Sequence, residues 1–228
     1  MANVCDSVVY VTGKKEDLIA FVNLALRNSG IEETTEDVSL KFAVDYLSKF
    51  GKYKFGASLG EMGDENRGMC EIRESKGLAF STWFPIPETF LKYDTTNYAD
   101  RFMEESKFQK DTYGVVGWYD YNRENFGVKW DCVLNYIRTD GKSIIFDVET
   151  PWNLPMVWLR RLSKEFKTLK FFYCTLEEFG QICEYGSYKD GEVEVFDCLD
   201  LNNDDEEMDM MFSQLMDRFH TYMGECGI

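Results

Sequence analysis

The sequence predicts an α+β fold built on an antiparallel sheet, and three observations predict it. Residues 131–138 and 143–149 alternate apolar and polar side chains around Asp140-Gly141, a pair that favours a two-residue type I′ hairpin. A second alternating pair, Gln181–Tyr188 and Glu192–Phe196, flanks Asp190-Gly191. Helical stripes at 15–28 and 155–166 lie between these hairpins and single strands at 4–12 and 168–176. With residues 31–127 set aside, the order is βαββαβ, the ferredoxin-like arrangement. The fold expected is that sheet with a large, mainly helical insertion and a C-terminal amphipathic helix.

Taken in order, Val8–Val11 reads as a strand closed by Thr12-Gly13. Leu18, Phe21, Val22, Ala25 and Leu26 then recur at helical spacing, and Asn28-Ser29-Gly30 stops the helix. Thr34 with Asp37 resembles a capping box for a helix whose stripe is Val38, Phe42, Ala43, Tyr46, Leu47 and Phe50. Residues 51–76 are glycine-rich and polar and read as a flexible loop. Gly77–Phe84 reads as a strand stopped by Pro85 and Pro87. Thr95 or Thr96 caps a helix through Tyr98, Phe102 and Phe108, and another spans about 115–126 with Gly127 as its left-handed cap. Pro155 suits the first helical position behind Asn153 or Leu154, with Trp158, Leu159, Leu162 and Phe166 toward the core. On the strand 168–176, Phe171 and Tyr173 face one way and Phe172 and Cys174 the other. Two units follow: 1–198, with the insertion at about 31–127, and 199–228, an acidic linker and helix.

Composition sets the function classes. A hydrophobic content of 44% with 16% aromatics is globular. No apolar run is long enough to span a membrane, and the N-terminus lacks a secretory pattern. Seven scattered cysteines without a C-x-x-C pair favour reduced thiols, and so a cytoplasmic protein. The formal charge is −16, and between Asp197 and Ile228 nine acids meet one base. Such a potential disfavours direct nucleic-acid binding and favours a partner with a basic surface.

The stretch Tyr113–Asp131 concentrates aromatics and charges, with Trp118, Tyr121, Phe126 and Trp130 among Asp120, Arg123, Glu124, Lys129 and Asp131. It resembles the signature of an uncharacterised phage- and plasmid-borne family with a YubB-type ferredoxin-like domain. The opening Met1–Ser7, Phe84-Pro85-Ile86-Pro87 and Glu149-Thr150-Pro151-Trp152 extend the resemblance over residues 1–25 and 78–198. Val4 stands where the family has Trp, and Phe126-Gly127-Val128 where it has W-G-T. The resemblance implies the fold and a mobile-element origin, and no activity.

Candidate chemistry is sparse. His220 is the only histidine, and a helical surface position explains it more simply than a nucleophilic triad. Gly56, Gly60 and Gly63 make no dinucleotide fingerprint. Asp200–Asp205 spaces oxygens like the start of a calcium loop but has Asp205 at the glycine position and Met211 at the final carboxylate, so a solvated linker is preferred. Asp120 and Glu124, one turn apart, with Asp131, can serve acid/base work, a ligand or a metal, or simply form a polar face neutralised by Arg123 and Lys129. Trp118, Tyr121 and Trp130 fit a seam between insertion and sheet or a ligand site. Aromatics on the sheet also allow single-stranded RNA stacking, without the basic rim such modules use.

The C-terminal helix offers a contact stripe that includes Met211, Phe212 and Leu215, behind Asp204, Asp205, Glu206, Glu207 and Asp209. It serves a partner, a homodimer or the chain's own sheet. The expectation is a non-enzymatic, acidic interaction protein, without cofactor or metal, that inhibits a host nucleic-acid-handling or defence protein. The alternatives are an enzyme or small-ligand binder using the carboxylates near 120–131, and an RNA binder.

Overall fold

The computed structural model describes residues 3–35, 37–58, 67–178, 182–198 and 205–226. Its elements, in chain order, are β1 (Val4–Thr12), α1 (Lys15–Asn28), α2 (Leu40–Phe50), β2 (Lys52–Ser58), β3 (Cys70–Lys76), α3 (Phe80–Trp83), α4 (Glu88–Lys92), α5 (Thr95–Tyr98), α6 (Met103–Tyr113), α7 (Gly117–Phe126), β4 (Leu134–Thr139), β5 (Ser143–Pro151), α8 (Met156–Glu165), β6 (Lys170–Glu177), β7 (Cys183–Lys189), β8 (Glu192–Cys198) and α9 (Asp205–Glu225).

The main sheet runs β4-β5-β1-β6-β7-β8 with every neighbour antiparallel. Its first four strands have the ferredoxin-like order, in which the first and third strands of βαββαβ, here β1 and β5, are the central neighbours. Period-two alternation then sorts the side chains. Val9, Val11, Phe146, Phe171 and Tyr173 face a core shared with Phe21 of α1 and Trp158 of α8. Phe172, Cys174 and Cys183 face the other way, under Leu215, Phe219 and Met223 of α9. Both faces of β6 are therefore covered, which removes the open aromatic platform that base stacking needs. It also corrects the reading of Leu215 as a partner contact, because Leu215 is buried within its own chain. Asp204 lies outside the described residues; the backbone of Asp205, Glu206, Glu207, Asp209, Met211 and Phe212 is helical. His220 is exposed on α9, beside Phe219.

The two Asp-Gly turns differ. Asp190 and Gly191 both take positive φ (46° and 83°) between the paired Lys189 and Glu192, the type I′ turn. Asp140 does not. The β4–β5 loop instead holds three residues, and the Asp140 carboxylate accepts from Lys142 N (2.9 Å), Ser143 N (2.8 Å) and Ser143 Oγ (2.9 Å). A side chain that mimics a backbone turn takes over what positive φ would have done.

Four other local expectations are corrected. Residues 52–58 and 70–76 are strands rather than loop, β2 and β3 pairing antiparallel from Lys52↔Lys76 to Ser58↔Cys70, while 59–66 lie outside the described residues. The segment 77–84 is not a strand, because Thr82 Oγ1 accepts from Ala79 N (2.9 Å) and closes a short helix. Ser39, not Thr34, caps α2 through Phe42 N. Thr34 is instead held by Asn23, in a reciprocal pair of bonds at 2.9 Å. The buried face of α2 is Leu40, Ala43, Val44 and Leu47, which leaves Phe42 and Phe50 exposed and ringed together through Tyr46. The region 31–127 thus mixes helices with a two-stranded sheet. Its short helix α3 reaches the main core, where Phe80 stacks on Trp158 (4.3 Å) and Trp83 on Phe21 (5.1 Å).

Candidate functional site

The aromatic signature folds into α7 and the segment after it. Glycine makes this possible at both ends. Gly117 has φ 82° and lies so close to Thr96 that a Cβ would overlap it, and Gly127 (φ 82°) caps the helix in the left-handed region. The start of α7 is pinned by Gln109 of α6, which is fully buried. Its Oε1 accepts from Gly117 N (2.9 Å) and Thr95 Oγ1 (2.7 Å), while its Nε2 donates to Thr89 O (3.1 Å). One amide thus ties α4, α5, α6 and α7 together, and no sequence pattern marks it.

That scaffold aims Trp118 at the α4–α5 junction, where its indole N–H donates to Asp94 Oδ1 (3.1 Å). Asp94 caps α5 through Asn97 N (3.2 Å). The β2–β3 hairpin closes over the same place. Gly56 lets it seat on α4, since a Cβ there would overlap the Leu91 carbonyl oxygen. Gly68 O accepts from Asp94 N (2.8 Å), and Lys52 N donates to Ser29 Oγ (3.1 Å) at the end of α1.

Between hairpin and signature lies a cavity of about 300 Å³, at the small end of ligand pockets. Tyr53, Phe55, Phe90, Trp118 and Trp130 supply rings; Asp94, Asn122 and Asp131 supply oxygens. Asn122 is 4% exposed, and its Nδ2 donates to Lys129 O (3.3 Å), which fixes which end is the amide nitrogen. Its Oδ1 has no partner. Asp131 Oδ1 accepts from Ser81 N (3.0 Å), while Oδ2 is buried without a partner. Burial pushes the Asp131 carboxyl up to about 6, against the hydrogen bonding from Ser81 that holds it down. Neither unpartnered oxygen has surface open to the cavity, and the Ser81 hydroxyl beside Asp131 is buried with them.

The signature residues separate into three groups. Trp118, Trp130 and Asp131 line the cavity. Tyr121 is buried beside Phe90, with ring centroids at 4.4 Å. Asp120 and Glu124 are exposed on α7, apart from the half-buried Asp131. Trp130, expected in a buried seam, is 42% exposed. Lys129 Nζ lies 5.2 Å from the ring centres of both Trp130 and Trp152. Sequence reasoning missed Asn122, Asp94 and the hairpin's Tyr53 and Phe55, although Lys-Tyr-Lys-Phe at 52–55 alternates as a strand should. Among the described residues, no group of three or more His, Cys, Asp or Glu side chains is placed to hold a metal, and no helix is long and apolar enough to cross a membrane.

No curated protein matches the chain. A crystal structure of protein Api92 from Yersinia pseudotuberculosis aligns over 89% of this chain and 99% of its own, at 12% identity and a TM-score of 0.38. The family model for the ferredoxin-like domain in Api92-like proteins matches residues 129–217, a span that begins at the cavity's edge and takes in Trp130 and Asp131, β4 to β8 and the first part of α9, so this part of the chain is similar to that domain.

Proposed function

We propose that the protein is a non-enzymatic binding protein whose recognition element is the aromatic cavity between the β2–β3 hairpin and α7. The observation that carries this reading is a cavity of about 300 Å³ walled by five aromatic residues, with Asp94, Asn122 and Asp131 among its lining residues. The rings supply apolar contact, and the carboxylates favour a ligand that carries donors.

The strong negative charge fits a partner with a basic surface and speeds its approach. The phage or plasmid setting implied by the resemblance of residues 113–131 and 149–152 suggests inhibition of a host nucleic-acid-handling or defence protein in the cytoplasm. The cavity receives one group of that partner, and the acidic surface guides it there. A fragment screen by ligand-observed NMR, with Trp118 and Trp130 fluorescence reporting the site, tests the cavity. Donor-bearing planar fragments are expected to bind and to be lost on Trp118→Leu in a protein that still melts cooperatively. No fragment bound at the cavity overturns the reading.

A further inference from the structure

One wall of the cavity is the outer edge of β2, and the hairpin's register decides which of its backbone groups face outward. Gly77 N donates to Gly51 O (3.0 Å), which sets the alternation along the paired strands. Tyr53 and Phe55 therefore turn their N–H and C=O toward β3, while Lys52 and Lys54 turn theirs away from it. At Lys52 that edge is occupied. Ser29 Oγ accepts from Lys52 N (3.1 Å) and shares its hydrogen between Lys52 O (3.0 Å) and Ala25 O (2.9 Å), standing in for a neighbouring strand. At Gly56 the hairpin is pressed against α4, where a Cβ would overlap Leu91 O. Lys54 lies between these two closures, exposed, and among the described residues nothing bonds its outward N–H and C=O. The segment across from it, Pro85-Ile86-Pro87, has an N–H at only one of its three positions. A second cavity of about 240 Å³, lined by Ser29, Lys52, Pro85 and Pro87 among others, adjoins the aromatic one, and Tyr53, Lys54 and Ile86 line both. An unpaired edge residue thus stands between two hollows along one strand.

We infer that β2 receives an extended peptide segment of the partner as an added strand, with the peptide main chain on Lys54 N–H and C=O and one apolar side chain in the ring-walled cavity. This rests on the cavity being a recognition site and names what occupies it. Main-chain pairing supplies affinity without regard to sequence, and the cavity selects the side chain. Charge selects further. Glu74, Glu88, Asp94 and Asp131 outnumber Lys52 and Lys54 in the two linings, on a chain of net charge −16, so the segment carries basic flanks and no acids. The Lys54–Glu88 pair, 3.5 Å apart and exposed on both sides, is weakly held and parts as the segment enters.

Hydrogen exchange of the full, unmodified chain tests the edge first. Lys54 N–H is expected to exchange about tenfold or more faster than the N–H groups of Tyr53 and Phe55, and to slow by about the same factor with acetyl-Lys-Leu-Lys-N-methylamide at saturation. Equal protection of the three amides in the free protein overturns the proposal, as does a Lys54 amide that the bound peptide leaves unchanged. Affinity is read by tryptophan fluorescence. Replacing the peptide's leucine with glycine, or its lysines with glutamates, is expected to weaken binding about tenfold or more. A glycine peptide that binds as tightly overturns the anchor, and a glutamate peptide that does so overturns the charge selection. Lys54→Pro removes the N–H at an edge position that tolerates proline, and should bind the peptide about tenfold more weakly than Lys54→Ala. A planar fragment that binds the cavity while the peptide does not overturns the peptide assignment and leaves the cavity a recognition site; binding by neither overturns both.

Discussion

Beneath the main sheet, aromatic rings meet other rings: Phe21 touches Trp83, Phe146, Phe166 and Phe171, and Phe80 stacks on Trp158. Under the β2–β3 hairpin, rings of the same kind instead wall a cavity of about 300 Å³. The aspartates show the same contrast. Asp140, in the sheet's turn, is exposed; desolvation raises its carboxyl, but bonds from Ser143 and Lys142 together bring it below the usual value. Asp131, at the cavity, is raised to about 6. Burial raises one carboxyl and hydrogen bonds lower the other, so Asp131 costs the fold stability near neutral pH where Asp140 adds to it.

Four substitutions sharpen or break this contrast. The largest effect is expected for Trp83→Ala, which empties a fully packed site and removes the indole bond to Phe21 O, at about 3–5 kcal/mol in denaturant unfolding. Next comes Asp131→Asn, with the opposite sign. The fold favours the protonated acid, so its contribution is fully present below about 3.8 and is lost as pH rises through about 6, a change of roughly 3 kcal/mol. The variant should therefore be more stable than the parent at about pH 7.5, by up to that amount, and nearly equal to it at about pH 4. Asp140→Ala should cost about 1–2 kcal/mol by stripping the β4–β5 turn of its three bonds, with the penalty shrinking as acid protonates the parent. Trp130→Ala should cost under about 1 kcal/mol, because the ring is half exposed, while weakening fragment binding at the cavity. A Trp130 variant as unstable as the Trp83 variant would erase the distinction between core and cavity.

The sheet was legible because its signals are local. Alternation at 143–149, Asp190-Gly191 with its forced positive φ, and the stripe of α1 each imply one pairing or one buried face, and together they admit one order of strands. The same habit of reading failed at Asp140, where a side chain substitutes for backbone geometry, and at 51–76, where glycines and charges masked the alternation of Lys52–Phe55. It failed again on α2, whose aromatics at 42, 46 and 50 lie together on the surface. The cavity was legible only in part. Trp118, Trp130 and Asp131 stand out by residue type, but what makes Asp131 unusual is long-range: Ser81, fifty positions away, takes one oxygen, and packing buries the other. Gln109 organises four helices and leaves no periodic trace at all.

The most direct measurement is a carbon-detected NMR titration of the Asp131 side-chain carboxyl in the free protein. Burial of the carboxyl, acting against its hydrogen bonds, predicts a midpoint near 6. A midpoint of about 4 in the free protein, the value of a solvated or fully bonded aspartate, would contradict it.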